Sequence, residues 1–255
     1  MTHEPNPNAV DLVNNRIVAI DGGTGTGKSR LGDELAQLLR RKGVPALFIS
    51  TGYLYRAVTW VVLQEALARL PKRLAANERL AAAVRAVRAM DEPTMVAASE
   101  RHQIAMHRGQ VWIDEAVASV DEQLKGPGVG VAIPHVASFL GVRQMVNAAA
   151  RRQVNEFDGF VIVEGRDIGH SVLPEAPLRI LLTVAPEVAA ERSKEHSVAE
   201  VIARDEADRA HKYGALKHPD DARAYTHVFS TDAHTPESAR DHTFSLMQAT
   251  FPTLV

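Results

Sequence analysis

The sequence predicts an α/β protein with a doubly wound parallel sheet of about five strands. Four short apolar runs, at residues 17–20, 46–49, 160–163 and 180–184, show no alternation of polar and apolar positions. Such runs are typical of parallel strands that are covered on both faces. A fifth, weaker strand is predicted at 227–229. The repeated strand–helix–strand pattern favours the doubly wound architecture.

The helix between the first two strands is the clearest in the sequence. Leu31, Leu35, Leu38 and Leu39 fall on one helical face. The pattern ends in two basic residues and a glycine, at residues 41–43, which is a common helix stop. Strand, helix and strand therefore follow one another as one βαβ unit.

Residues 57–140 do not continue this alternation, and we interpret them as an insertion on a core formed by 16–56 and 141–255. An alanine-rich stretch at 74–90 predicts a helix, and the runs at 103–106 and 111–113 flank Arg108 and Gly109 as a hairpin. The glycines at 126–130 predict a loop. Residues 16–255 are predicted to form one domain, preceded by a flexible tail at 1–15.

The composition excludes several classes of protein. With 29 Lys and Arg against 31 Asp and Glu, a net charge of −2 does not point to nucleic acid or an anionic membrane as a partner. The absence of cysteine excludes a disulfide scaffold, a thiolate metal site and a cysteine nucleophile. No signal peptide or membrane span is recognisable, so we expect a cytoplasmic protein.

A phosphate-binding loop is the most specific motif in the chain. Residues 22–29 read GGTGTGKS and fit G-x-x-x-x-G-K-[ST] in full, between a predicted strand and a predicted helix. Backbone N–H groups of such a loop bind phosphate, its lysine reaches the β- and γ-phosphates, and its serine holds Mg²⁺. The predicted ATP-binding residues are Gly22, Gly23, Thr24, Gly25, Thr26, Gly27, Lys28, Ser29 and Arg30. The motif identifies the phosphoryl donor but not the reaction.

Two arginines suggest a second phosphate. Arg56 follows the second strand and Arg166 follows the third, so both are expected at the edge of the sheet where the phosphate loop lies. Guanidinium groups bind phosphate in a bidentate manner. A phosphate acceptor beside the γ-phosphoryl group would make the reaction a transfer between two nucleotides.

These stretches resemble the cytidylate kinases, a family of P-loop nucleoside-monophosphate kinases, over about residues 16–231. The resemblance rests on TGYLYRAVT at 51–59, VIVEGRDIGHSVLPEAPLRILL at 161–182 and RDEADR at 204–209. It implies ATP-dependent phosphorylation of CMP or dCMP with Mg²⁺. It also implies that the insertion binds the acceptor and that a short lid, at about 192–204, helps to exclude water. The family is typically monomeric, and nucleic acid and membranes are not expected partners.

The resemblance also assigns roles to individual residues. Arg56 and Arg166 would hold the CMP phosphate, Asp167 and Arg143 would read the cytosine, and Arg204 and Asp208 would hold the ribose. Thr51 would touch the nucleotide, and Arg192 would contact the transferring phosphates as a lid residue. The catalytic set is therefore Lys28, Arg166 and Arg192. Ser29 and Glu164 form the predicted metal site.

Several positions depart from the family pattern. Ser50 stands where an aspartate is usual, and Glu164 replaces another aspartate. Pro134 replaces a base-contacting serine, and His211 or Lys212 stands near the place of a final arginine. The segment between Arg192 and Arg204 is also short for a lid. These changes concern base specificity and the lid rather than donor binding.

Two other functions remain open on the sequence. One is a P-loop kinase that acts on a different phosphorylated small molecule. The other is a non-catalytic nucleotide-binding protein, although such a switch has no need of acceptor-side arginines. At residue level, Arg204 and Asp208 are four apart, so an ordinary ion pair on a helix is the alternative to a nucleotide-binding role.

Overall fold

A computed structural model describes residues 14–107, 110–193, 197–218, 220–221 and 224–254. The predicted tail at 1–15 and lid at 192–204 lie partly outside these residues, as do the hairpin residues Arg108 and Gly109. The described part divides into two compact units, formed by the described residues within 51–153 and by those within 14–50 and 154–254. We describe each unit separately.

The second unit contains the predicted parallel sheet. Its strands are β1 (Ile17–Gly22), β2 (Ala46–Ser50), β6 (Phe160–Gly165), β7 (Leu178–Thr183) and β8 (His227–Ser230). They lie in the order β2-β6-β1-β7-β8, and every adjacent pair is parallel. All five strand predictions are confirmed, each with small shifts of the ends. Strand β6 lies between β2 and β1, so the carboxyl ends of these three parallel strands lie at the same edge of the sheet.

Helices flank this sheet. The predicted first helix is α1 (Lys28–Arg41), which ends before Gly43 at a φ of 78°. Helices α7 (Pro186–Ser193), α8 (Val198–Ala210) and α9 (Pro236–Thr250) follow in the chain. Leu35 and Leu39 of α1 and Met247 of α9 pack in one buried core with one face of the strands. This packing fixes α1, and with it the loop that precedes it, against the end of β1.

The unit at 51–153 contains most of the helices of the insertion and a small sheet. It comprises α2 (Thr51–Ala68), α3 (Ala76–Arg88), α4 (Glu92–Ser99), α5 (Val129–Val136) and the larger part of α6 (Leu140–Glu156). Strands β3 (Ile104–His107), β4 (Gln110–Ile113) and β5 (Ala116–Val117) form an antiparallel sheet. The predicted helix and hairpin are confirmed, and β5 adds a third strand to the hairpin.

One local prediction in this region is wrong. The loop predicted at 126–130 ends early, because Gly128 takes a φ of 97° and α5 begins at the next residue. Arg56, which follows β2 as predicted, lies inside α2 because that helix begins directly at Thr51.

No single helix in the described parts of the chain has the length and hydropathy of a membrane span; α5 and α6 meet that test only as a pair bent by 99°.

Candidate functional site

The phosphate loop lies between β1 and α1, as its sequence predicts. Gly25 and Gly27 have φ values of 72° and 82°, a region that L-residues rarely adopt. A Cβ atom on Gly25 would come within 2.7 Å of the Ala189 backbone. Thr26 Oγ1 donates to the carbonyl of Gly23 at 3.0 Å and braces the loop internally. Backbone conformation therefore requires glycine at both positions, and close packing requires it at Gly25 as well.

Lys28 begins α1 and turns back over the loop. Its Nζ donates to the carbonyl oxygen of Gly23 at 3.0 Å. Burial and, to a smaller extent, the positive charge of Arg166 lower the pKa of Lys28 to about 8, although Glu164, Asp208 and Asp205 act in the opposite direction. The ammonium group thus lies beside a loop whose backbone N–H groups suit phosphate binding.

Ser29, Ser50 and Glu164 form a cluster of oxygen atoms next to the loop. Ser29 Oγ donates to Glu164 Oε1 at 3.1 Å, and Ser50 Oγ donates to the same oxygen. Glu164 is 2% exposed and Ser50 is 1% exposed. A hydroxyl and a carboxylate are the ligands that Mg²⁺ takes alongside substrate phosphates. Among the described residues, no group of three His, Cys, Asp or Glu side chains forms a metal site by itself.

The residue at position 50 departs from the family pattern at this cluster. Ser50 ends β2 opposite Glu164 in the sheet register, so its hydroxyl lies beside the carboxylate. A neutral donor there satisfies Glu164, whereas the aspartate usual in the family would bring two carboxylates together.

Arg166 reaches the phosphate loop from the adjacent strand β6. Its Nη1 donates to the carbonyl of Gly22 at 3.0 Å, and its Nη2 lies 3.4 Å from Thr24 Oγ1. The same guanidinium pairs with Asp208 Oδ2 at 3.1 Å and with Asp205 Oδ1 at 3.7 Å. An arginine that follows β6 is thus adjacent to the loop, with two carboxylates of α8 as its partners.

Asp205 is a residue to which sequence reasoning gave no role. Its Oδ1 accepts a hydrogen bond from the backbone N–H of Thr24 at 2.9 Å. A Cβ atom on Gly23 would come within 2.3 Å of the same carboxylate. Asp205 therefore presents an anion to the phosphate loop itself. The signal was its place in RDEADR, between residues already assigned to the ribose.

Asp21 is a second residue that sequence reasoning missed. It lies in β1 immediately before Gly22, and its side chain is completely buried. Its Oδ1 and Oδ2 accept from the backbone N–H groups of Ile168 and Gly169, at 2.7 and 2.8 Å. A charged residue that ends an otherwise apolar strand was the available signal.

The other predicted residues of this unit differ in exposure and in the groups that they contact. Asp167 is 5% exposed and lies at the N-cap of the π-helical turn Ile168–Val172. Arg204 is exposed on α8, and Arg30 pairs with Glu34 at 2.6 Å on the surface of α1. The ion-pair partner that the structure gives Asp208 is Arg166, not the helix neighbour considered above.

The predicted lid arginine and the last departure from the family pattern have local partners in the same unit. Arg192 donates from Nη1 to Thr231 Oγ1 at 2.9 Å and from Nη2 to the Thr231 carbonyl at 2.7 Å. His211 Nδ1 lies 2.7 Å from the carbonyl oxygen of Tyr213.

Three predicted acceptor-site residues belong to the unit at 51–153. Thr51 is buried at the start of α2, and Arg56 Nη1 donates to the carbonyl of Leu124 at 3.1 Å. The Arg143 guanidinium lies 5.7 Å from the centre of the Tyr55 ring, in a cation–π geometry, and Arg143 is 8% exposed. Pro134 lies inside α5 and is exposed.

Comparisons with known proteins agree with one another. The family model described as "Cytidylate kinase" matches residues 18–234. The chain is 33% identical over 243 residues to a bifunctional pantoate ligase/cytidylate kinase of Gloeobacter violaceus, and the match covers 90% of this chain and 42% of that protein. It is 28% identical to a cytidylate kinase of Rhodopirellula baltica, with 91% of this chain and 92% of that protein covered. A cytidylate kinase of Mycobacterium avium is 30% identical, with 88% and 93% covered.

Proposed function

Because this chain belongs to the cytidylate kinase family, we propose that it transfers the γ-phosphoryl group of ATP to CMP or dCMP. The products are ADP and CDP or dCDP. The observation that carries the proposal is the Arg166 guanidinium beside the phosphate loop, 3.0 Å from the carbonyl oxygen of Gly22. A loop that binds the donor phosphates and a guanidinium next to it suit two phosphates that exchange a phosphoryl group.

Positioning and charge neutralisation supply the catalysis. The backbone N–H groups of the loop and Lys28 hold the β- and γ-phosphates, and Arg166 holds the acceptor phosphate. The second pKa of a phosphate monoester is about 6, so the acceptor is already nucleophilic at neutral pH and needs no strong general base. Thr51, Arg56, Arg143, Asp167, Arg204 and Asp208 are assigned to the acceptor, and Arg192 to the transferring phosphates.

Magnesium is part of the proposal. Ser29 and Glu164 would hold it, and the hydrogen bond between them brings a hydroxyl and a carboxylate together beside the loop. When bound, Mg²⁺ would supply positive charge that offsets the negative charge of the phosphates during transfer. A monomer in the cytoplasm also belongs to the proposal, and the absence of cysteine suits a reducing compartment.

The test is an ADP-release assay with a panel of nucleoside monophosphates. ADP release that CMP and dCMP stimulate, and that needs Mg²⁺, supports the proposal. Stimulation by a different phosphorylated acceptor alone would assign the chain to another small-molecule kinase activity. Nucleotide binding with no acceptor-stimulated release would identify a non-catalytic nucleotide-binding protein.

A further inference from the structure

A buried carboxylate joins the phosphate loop to the turn that carries the acceptor residues. Asp21 directly precedes the loop, and both of its oxygens accept N–H groups of the turn that follows β6. That turn begins with Arg166 and Asp167, the residues assigned to the phosphate and to the base of the acceptor. The parallel register places Asp21 opposite Gly165, so the contact depends on the pairing of β1 with β6.

The turn receives its cap from the neighbouring strand. The first N–H groups of a helical turn have no partner within the turn, and an aspartate at the N-cap normally accepts one of them. Asp167 occupies the N-cap of the turn Ile168–Val172 but makes no side-chain cap hydrogen bond. Asp21 makes that contact instead. Asp167 is thereby relieved of a capping role, which suits its assignment to the acceptor.

The chemistry of this contact requires a carboxylate. Two N–H donors point at two separate oxygens, and an asparagine would place its own N–H group against one of them. Burial raises the pKa of Asp21 to about 7, whereas the hydrogen bonds from Gly169 and Ile168 lower it. A carboxylate without hydrogen bonds would destabilise the fold at a position with 0% exposure, and the two N–H groups offset that desolvation penalty.

The turn also packs closely against Arg179. A Cβ atom on Gly169 would lie 3.2 Å from Arg179 Cβ, which is a tight contact, and 3.4 Å from Asp21 Oδ2, which is an ordinary one. A side chain at position 169 would therefore press on Arg179 and perturb the turn without removing the Asp21 carboxylate.

We propose that Asp21 is a positioning residue for the acceptor, because its carboxylate fixes the turn that presents Arg166 and Asp167 beside the phosphate loop. This proposal rests on the proposed function. It concerns a residue that touches neither nucleotide and acts through the backbone of the turn. Its effect should therefore fall on acceptor binding rather than on ATP binding.

The test compares Asp21→Asn with the wild type in the KM for CMP and the KM for ATP. Loss of one buried hydrogen bond to a charged group should raise the KM for CMP by about tenfold, with the KM for ATP changed by less than about twofold. Met247→Ala is the matched control. It weakens the core of the same unit from α9, distant from the turn in sequence, and should change neither KM.

A second variant and a second measurement keep the proposal testable if Asp21→Asn folds poorly. Gly169→Ala perturbs the turn from the other side and should raise the KM for CMP alone. Amide hydrogen exchange, followed at Ile168 and Gly169, should be faster in Asp21→Asn than in Met247→Ala of similar stability. The proposal is overturned if both KM values rise together in Asp21→Asn and Gly169→Ala, or if neither changes.

Amide hydrogen exchange tests the contact made by Asp21 independently of whether the protein phosphorylates CMP. If the wild type shows no turnover with CMP, the proposed function fails. Faster exchange at Ile168 and Gly169 in Asp21→Asn would then still support the contact that fixes the turn. Unchanged exchange at both amides would overturn that contact as well.

Discussion

Arg166 Nη1 lies 3.1 Å from Asp208 Oδ2, so two residues assigned to different parts of the acceptor form an ion pair with each other. On the proposed function, binding of CMP would exchange this ion pair for a guanidinium–phosphate contact and a carboxylate–ribose contact. The pair is half-buried, with 32% of each side chain exposed, so its own energy is modest. On the proposed function, Asp208 would hold Arg166 near the loop and would contact the ribose once the CMP phosphate binds Arg166.

Asp208→Ala should therefore weaken CMP binding. We expect the KM for CMP to rise by about tenfold, because a hydrogen bond to a charged group is lost, with a smaller change in the KM for ATP. Steady-state kinetics with each substrate varied in turn measures both. Asp241→Ala, which removes an exposed carboxylate on α9, is the control. An unchanged KM for CMP in Asp208→Ala would show that the ribose assignment is wrong.

On the proposed function, Asp205 would compete with the donor phosphates for the loop. Its carboxylate accepts the Thr24 N–H at 2.9 Å and lies near Lys28, whose pKa it raises. An incoming phosphate must overcome this negative charge. Asp205→Asn should therefore lower the KM for ATP about threefold, since roughly 0.6 kcal/mol of repulsion would account for that factor. A higher KM for ATP would instead show that Asp205 supports the loop in its binding conformation.

Lys28 makes ATP binding dependent on pH. Its pKa is lowered from 10.5 to about 8, so the free enzyme loses this charge as the pH rises through 8. With CMP saturating, kcat/KM for ATP should fall by about twofold from pH 7 to 8 and then by up to about tenfold per pH unit, because kcat/KM reports the ionisation of the free enzyme. Bound phosphates favour the ammonium form, so kcat should fall only at higher pH.

The variant Lys28→Arg tests whether Lys28 is the group whose ionisation lowers kcat/KM for ATP. Arginine remains protonated throughout this range, so its lower activity should not fall in the same way above pH 8. Lys42→Ala, at the exposed end of α1, should keep the wild-type pH profile. A profile of Lys28→Arg that falls like that of the wild type would assign the ionisation to another group.

Glu164→Gln should weaken the use of Mg²⁺. The glutamine removes a charge from the cluster with Ser29 and Ser50, and we expect the Mg²⁺ concentration for half-maximal rate to rise by about tenfold. Titration of Mg²⁺ at fixed total ATP measures this. Glu100→Gln, at the end of α4, should leave the titration unchanged. An unchanged midpoint in Glu164→Gln would remove Glu164 from the metal site.

The parallel sheet could be predicted from the sequence because its signals are local. Each strand of the sheet is a short apolar run, and the phosphate loop combines a strand end, glycines and a helix start in one stretch. The loop predicted at 126–130 was wrong because glycines permit turns without requiring them. Gly128 alone supplies the positive φ, and the following residues bury Val129 and Ala132 in a helix.

The roles of Asp21 and Asp205 could not be predicted because they depend on distant pairing. Asp21 meets Ile168 and Gly169 across 147 and 148 positions of sequence, and Asp205 meets Thr24 across 181. Only the alignment of β1 with β6, and of α8 with the loop, brings them together. The local signals, a charged residue in an apolar strand and a place within RDEADR, mark these aspartates as unusual but do not say which groups they contact.

Asp21 should also affect how stability depends on pH. Burial is the main cause that raises its pKa from 3.8 to about 7; the nearby negative charge of Asp167 acts in the same direction, and the hydrogen bonds from Gly169 and Ile168 oppose it. The folded protein therefore binds this proton more tightly than the unfolded chain does. The stabilisation is complete below pH 3.8, and it is lost as the pH rises towards 7.

Asp21→Asn removes this titration and serves as the reference for the wild type. Between about pH 4 and 7 the free energy of unfolding of the wild type should fall relative to that of Asp21→Asn, and above about pH 7 the difference should become constant. Urea unfolding at pH 4.5, 5.5, 6.5 and 7.5 is the measurement. Taking the difference cancels most contributions of other titrating groups. A wild type that gains stability relative to Asp21→Asn over this range would mean that the two N–H bonds outweigh burial and keep the carboxylate charged.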